Sequence, residues 1–343
     1  MASDSQLAQF FQSCREQFSA NTLIHVPTRI AKTAVQLIYT HPLLHEKLHL
    51  ALSHLGTTKQ ICAWQLYCCD NVVSDFKIPP PPFEMNQLNG NGLLLNHQSS
   101  RFKFHFDVPT QALSLVDLEQ KKALYWVKDA RAIKWWQTGS PFQVILNVIL
   151  QQEQAQLTHA AAVATDAGAV LLIGKGGSGK STTTLNCIHN GFGFVGEDYV
   201  VLTHAPPYTV YSIYQSFKLT PQTLALFPHL AAFRANSPAS DEKGLYFMSD
   251  IMRGNTCLAA PLKAIVQCKV EGELNQLNPA TASDILPALS VATMKQLIYT
   301  GKPTIDFLAT VAKAAPCFKL SLALPLAEIP TLIESCLYTH AEP

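Results

Sequence analysis

The residues best able to do chemistry lie in the middle of the chain, in Leu171-Leu172-Ile173-Gly174-Lys175-Gly176-Gly177-Ser178-Gly179-Lys180-Ser181. Gly174, Gly179, Lys180 and Ser181 occupy every fixed position of the pattern G-x-x-x-x-G-K-[ST]. A glycine-rich turn between a strand and a helix lets backbone N–H groups curl around a phosphate, with the positive end of the helix behind them. Gly174, Gly176, Gly177, Ser178, Gly179, Lys180, Ser181 and Thr182 are therefore the candidate nucleotide contacts. Lys180 would reach the β- and γ-phosphates, and the Ser181 hydroxyl would ligate Mg²⁺.

Two further groups stand close to this loop in sequence. Glu197-Asp198 follows Lys180 by 17 residues, which is one helix and one turn. In phosphoryl transfer the protein mainly supplies charge, metal and alignment. One carboxylate can bind Mg²⁺, directly or through water, while the other accepts the proton of an attacking hydroxyl. His159 precedes Lys180 by 21 residues and is placed on a strand paired with the loop strand, where it could orient the acidic base. As a lone His in an Ala-rich strand it reads equally as a satisfied core residue. Side chains alternate along a strand, so Glu197 and Asp198 face opposite ways unless the strand has ended before them.

Elements must hold these groups in place. Ala169 to Ile173 is a short apolar run of buried-strand type, and Ser181 to Asn190 reads as a helix closed by Gly191. Leu157 to Val163 is a second strand, joined to the first by a hairpin turn at Asp166 to Gly168. Phe192 to Leu202 reads as one strand with the acidic pair in its middle. Tyr208 to Leu219 reads as a strand pair carrying Lys218, and residues 220–258 as loop and helix, including the charged Asp241-Glu242-Lys243. Leu262 to Val270 and Pro316 to Leu322 are strands. Ser283 to Leu297, Pro303 to Ala314 and Leu326 to Leu337 are helices.

Upstream, residues 1–60 read as mainly helical or mixed. Ser5 to Phe18 is amphipathic, and Ala31 to Tyr39 and His45 to His54 carry apolar periodicity. His41, His45 and His49 would line one face of a continuous helix, but Pro42 interrupts it. Pro79 to Pro82 is an extended connection, Asn89-Gly90-Asn91-Gly92 a turn, and Arg101 to Phe106 alternates as a half-buried strand does. Lys122 to Val127 is a strand, and Pro141 to Gln152 an apolar helix with Ser140 as its N-cap.

Composition limits the alternatives. The 343 residues suffice for two domains, and 48% hydrophobic with 14% charged residues supports a sizeable core. A net charge of +1 gives no polyanion-binding surface, so nucleic acid is not an expected partner. No run of 18 apolar residues suggests a membrane span, and the N-terminus lacks the basic and apolar regions of an export signal. The nine cysteines have no metal or redox spacing and read as buried thiols of a reducing cytoplasm.

Three stretches together carry a family resemblance: Leu157-Thr158-His159-Ala160-Ala161-Ala162-Val163, the loop from Leu171 to Ser181, and Val195-Gly196-Glu197-Asp198-Tyr199-Val200. They are similar to the catalytic core of HPr kinase/phosphorylase, whose phosphate-loop core is shared with phosphoenolpyruvate carboxykinase. The chain more closely resembles the HPr-kinase-like serine kinases, some of which accompany lasso-peptide biosynthesis genes and phosphorylate the terminal serine of a precursor peptide. The resemblance covers roughly residues 120–340.

It implies an α/β fold with an HPr-kinase-like P-loop core and mixed sheet at 116–343. A smaller α+β N-terminal domain would occupy 1–115. It implies a cytoplasmic, ATP- and Mg²⁺-dependent phosphotransferase acting on an alcohol group. The acceptor would be a peptide, a small protein or a small-molecule hydroxyl. A nucleotide-binding regulatory protein without transfer is the alternative of a different class. Glu197 would be the base or share that role with Asp198, Asp198 would sit at metal and phosphate, and His159 would support the base. Related enzymes form hexamers, so the resemblance allows a homo-oligomer.

Two departures bear on these roles. The family's acidic pair is usually Asp-Asp, and here Glu197 stands first. The Glu-Ile-Arg-Gly segment of true HPr kinase/phosphorylases is absent, and Tyr214-Gln215-Ser216-Phe217-Lys218-Leu219 stands near its place. Lys218, and after it Lys243, are the candidates to neutralise phosphate there.

Overall fold

The computed structural model describes residues 3–18, 23–74, 76–237 and 243–338. Asp241 and Glu242 lie outside the described residues. The chain is mixed α/β and divides into two compact units, residues 1–149 and 150–343.

The first unit begins with helix α1 (Asp4–Phe18) and strands β1 (Ile24–Ile30) and β2 (Thr33–Tyr39). Helix α2 (Pro42–His49), β3 (Trp64–Asp70), β4 (Phe102–Asp107), β5 (Ala112–Asp117) and β6 (Lys122–Val127) follow, then α3 (Trp135–Gly139) and α4 (Gln143–Gln152). The six strands form one mixed sheet in the order β1-β2-β3-β6-β5-β4. Thr33 to Tyr39, in a region read as mainly helical or mixed, is thus strand. Its β-branched and aromatic residues sit between two partners, and near-complete burial on both faces removes the alternation that marks a half-exposed strand. Pro27, which cannot donate to a ladder, sits in β1 at the sheet edge. The apolar stripe of α1 packs on one face through Leu7, Phe10, Phe11, Cys14 and Phe18.

The division at Ile149/Leu150 falls within α4, well beyond the boundary expected at 115/116. That earlier point lies inside β5, and β5 and β6 pair into the first sheet. The histidine stripe resolves into separate tasks. His41 caps α2 by accepting from the Leu43 N–H, and His45 stacks on His49. Helix α4 starts two residues later than expected, after Phe142 with its positive φ of 58°.

The second unit contributes β7 (Ala155–Thr158), β8 (Ala161–Thr165), β9 (Gly168–Ile173), α5 (Lys180–His189), β10 (Gly193–Gly196) and β11 (Val200–Thr203). Next come β12 (Thr209–Tyr211), β13 (Ser216–Leu219), α6 (Pro221–Leu226), β14 (Gly244–Phe247) and α7 (Met248–Ile251). The unit ends with β15 (Ala259–Val270), β16 (Gln276–Ala280), α8 (Ala282–Gln296), α9 (Lys302–Ala314), β17 (Cys317–Leu322) and α10 (Ile329–Ser335). Its main sheet runs β10-β8-β9-β15-β12-β11-β7, with β17 paired to β15 and β16 to β17. β9, β15 and β17 are mutually parallel, and β10, antiparallel to β8, points the same way as β9.

β9 shows why its sequence is continuously apolar. Val170 and Leu172 face a core closed by Leu185 and Ile188 of α5 and by Ile329 and Ile333 of α10. Leu171 and Ile173 face the opposite core, closed by Ile285 and Leu289 of α8 and by Leu308 and Val311 of α9. A strand covered on both faces needs apolar residues at every position. Each such side chain contributes about 1.5–3 kcal/mol by burial.

Three expected elements differ in the structure. Phe192 to Leu202 is two strands, not one. β10 pairs with β8 and β11 with β12 and β7, and the break falls at Glu197-Asp198-Tyr199. Gly196 permits the bend, because a Cβ there would lie 2.6 Å from the Tyr199 carbonyl oxygen. Leu157 to Val163 also breaks, with β7 and β8 going to separate places in the sheet and His159 between them. β12 and β13 do not pair with each other, since β13 forms a two-stranded ribbon with β14. The edge strand β16, which contains Pro279, and β14 were not anticipated. Among the described residues no helix is long and apolar enough to cross a membrane.

Candidate active site

Sheet directions bring the candidate residues to one edge of the second unit. β10, β9, β15 and β17 all end there, and antiparallel β8 begins there, since Ala161 pairs with Leu172. His159 immediately precedes β8 and Glu197-Asp198 immediately follows β10, so both reach the edge where the glycine loop leaves β9. β8 lies between β10 and β9, so the acidic pair is two strands from the loop strand rather than directly beside it.

The glycines of the loop do different things. Gly174, at φ 145°, ends β9, and a Cβ there would meet Ser178 Oγ at 2.4 Å and the Cys268 carbonyl at 2.9 Å. Gly179 caps α5 in the left-handed region at φ 94°, and a Cβ there would lie 2.3 Å from Leu322. Gly176 has no neighbour within 4 Å of a Cβ and no positive φ, so packing does not demand glycine there. Together with Gly177 it leaves open the approach a phosphate would need. The first bond of α5 runs from the Thr183 N–H to the Gly179 carbonyl. The N–H groups of Lys180, Ser181 and Thr182 belong to the turn before it, which a helix leaves without intrahelical partners. Ser178 Oγ is buried without a partner, and the Lys180 ammonium folds back on the carbonyl of Gly174 at 2.7 Å.

All the candidate residues except Gly174 line one cavity of about 1050 Å³. Ser181 Oγ donates to Glu197 Oε1, and the Lys218 N–H reaches Glu197 Oε2 at 3.4 Å. Lys218 Nζ forms an ion pair with Asp198 Oδ2 at 2.8 Å. Ser181 therefore meets Glu197 here, and not Asp198. Lys243 lines the cavity as well. His159 is fixed by its backbone N–H to Thr293 Oγ1 at 3.2 Å, its ring lies edge-on to Tyr199, and its Nδ1 is buried without a hydrogen-bond partner.

The surroundings drive the two carboxyls apart. Burial first, and the neighbouring Asp198 second, push Glu197 above the usual carboxylate range, against the pull of Ser181 and the two lysines. Burial also works to raise Asp198, but Lys218 and His159 outweigh it and hold that carboxyl below the usual range. Burial lowers His159 to about 4, opposed by Asp198, so its imidazole is neutral at pH 7.

These residues fit a nucleotide phosphate and Mg²⁺. Gly176 and Gly177 leave room for the phosphate, and hydroxyl and carboxylate oxygens stand at its edge. Mg²⁺ is held by one or two carboxylates with substrate phosphates and water rather than by a full protein cage. Among the described residues no three His, Cys, Asp or Glu side chains gather to hold a metal.

Several lining residues carry no signal of their own in the sequence: Thr220 and Thr223 of the α6 wall, Val270 to Glu273 at the end of β15 and the turn beyond it, and Leu322, Ala323, Leu324 and Leu326 at the end of β17 and beyond it. The last two groups lie at the ends of strands that the sequence does reveal. Ligands of α/β sheets bind outside the carboxyl ends of parallel strands, and that rule would have marked them.

No family model and no curated protein matches the chain. Among solved structures it is similar to the HPr(Ser) kinase/phosphatase of Coxiella burnetii, at 12% identity and a TM-score of 0.30 over 53% of this chain and 93% of that one. At that distance the function has to be argued from the site.

Proposed function

We propose that the chain is an ATP- and Mg²⁺-dependent kinase that transfers the γ-phosphate to a hydroxyl, a serine of a peptide or small protein in the first instance. The observation that supports this is the meeting of a Gly-Lys-Ser loop with two carboxyls of opposed surroundings in a single cavity. The loop N–H groups and Lys180 take the β- and γ-phosphates, Lys180 exchanging its carbonyl partners for phosphate oxygens. Ser181 and Asp198 would hold Mg²⁺, which supplies positive charge across the phosphate oxygens as negative charge shifts toward the leaving group.

Paired carboxyls pushed apart by their surroundings divide the work of acid–base chemistry. Glu197, the one that favours its proton, accepts it from the attacking hydroxyl. Asp198, the one kept ionised, supplies fixed charge. In the transfer the acceptor oxygen forms a bond to the γ-phosphorus. The bond from that phosphorus to the β–γ bridging oxygen breaks, its electron pair leaves with ADP, and the hydroxyl proton goes to Glu197. Lys218 turns from Asp198 toward the γ-phosphate, and neutral His159 supports the acidic pair.

The test is transfer from ATP to a pool of serine-containing peptides, read by mass spectrometry. Lys180→Ala is expected to abolish transfer and weaken ATP binding at least tenfold. Glu197→Gln is expected to lower kcat by about 10²–10⁴ with ATP affinity retained. Full activity in Glu197→Gln removes that residue as the proton acceptor. Tight ATP binding with no transfer to any acceptor points instead to a nucleotide-binding regulatory protein.

A further inference from the structure

The phosphate loop fixes where a triphosphate sits but leaves two directions open for the nucleoside. The edge described above resolves them. Across the sheet, it presents the acidic pair after β10, His159 before β8, the loop after β9, then the turns after β15 and β17. Ionisable groups crowd one end of this row. The other end carries aliphatic side chains beside Glu271 and Glu273 of the turn after β15, and two of them are unusually open for their type: Val270 is 63% exposed and Leu324 65%.

We propose that Val270, Leu322 and Leu324 form the shelf on which the base and ribose lie, so that the acceptor hydroxyl enters from the β10 side. This rests on the phosphate reading of the loop. Three observations carry it. The shelf begins at the loop itself, because the space beside Gly179 is filled by Leu322 and Val270, at 2.3 and 3.2 Å from where a Cβ on that glycine would stand. Its depth suits a nucleoside, since β15 and β17 lie one and two strand spacings from β9, roughly 5 and 10 Å. Its charge disfavours the reverse orientation, because Glu273, and Glu271 although it is paired with Lys269, would repel phosphates laid on the turn after β15. A flat base loses little by covering aliphatic side chains, and doing so removes their exposed surface from water.

The experiment compares calorimetric binding of ATP and of inorganic tripolyphosphate, each with Mg²⁺, to the full chain. Leu324→Ser and Val270→Ser change exposed residues and leave the folded core alone. Leu324→Ser, which lies away from Gly179, is expected to weaken ATP binding about tenfold with tripolyphosphate affinity unchanged within twofold, and the double variant to weaken ATP binding further. Leu274→Ser, which alters a 77% exposed leucine outside the cavity lining, is expected to change neither. Unchanged ATP affinity in the double variant overturns the shelf, as does an equal loss for both ligands. If the unaltered protein binds neither ligand, the phosphate reading fails and the shelf with it. Normal tripolyphosphate binding beside an unaffected ATP affinity refutes the shelf alone.

Discussion

Gly179 concentrates two demands in one residue. Its φ of 94° costs a side-chain-bearing residue about 1–3 kcal/mol, and Leu322 and Val270 fill the space a Cβ would need. Gly179→Ala is expected to lower stability by at least that backbone cost, seen as a lower urea midpoint, and to weaken tripolyphosphate binding. Gly176→Ala has neither obstacle, so it should keep the midpoint and lose binding only. An equal fall in midpoint for both would show that the loop's glycines serve folding alone. At this scale the sequence was most readable for the loop, because the motif specifies its own backbone. The partner of Ser181 was not readable. Which carboxyl meets it depends on where β10 stops, and a bend set by the missing side chain of Gly196 turns Glu197 toward the hydroxyl. Lys218 could be picked out as a spare cation, but its ion pair with Asp198 depends on the β13–β14 ribbon, half of which lies in a stretch read as loop.

Elements buried on both faces were legible as apolar runs and ambiguous in type. β9 is recognisable because glycines bound it on either side, whereas β2 lacks such punctuation and lies in a stretch that reads as mainly helical or mixed. The breaks at His159 and at Glu197 were hidden for a related reason. Strand-forming residues resume directly after each break, and only the pairing partners change. Helix α2 and the turn after it yield a measurable consequence. Burial, aided by His45, lowers His49 to about 4, and burial, aided by His49, lowers His54 to about 4. An unfolded histidine takes its proton near 6.5. Below that pH the unfolded chain gains protons that the folded chain refuses until about 4. The stability contributed by the neutral rings is therefore complete above 6.5 and lost as pH falls from 6.5 toward 4, up to about 3 kcal/mol per ring. The urea midpoint should drop between pH 7 and pH 5, and the drop should be smaller in the His49→Gln, His54→Gln double variant. An unchanged slope in that variant would assign the acid sensitivity elsewhere.

On the scale of the whole chain, two units with separate sheets were partly legible. The phosphate loop announced the second unit, but the boundary was placed too early because β5 and β6 look, as strands, no different from those that follow. The fold rests on apolar layers. In the second unit those layers join distant segments, with β9 and β17 both laid against β15. Ending the chain after Pro316 removes β17 and Leu322. Such a protein is expected to lose tripolyphosphate binding although every residue of the motif remains, and retained binding would contradict the dependence of the loop on β17. The same contact sets an order in time during synthesis. Roughly 140 residues separate Gly179 from Leu322, and a ribosome adds about 5–20 residues per second, so the loop waits about 7–30 s for the side chain that seats it. Through that interval the nascent chain carries the complete motif without its support, and under the proposed function capture of nucleotide becomes one of the last events of its folding.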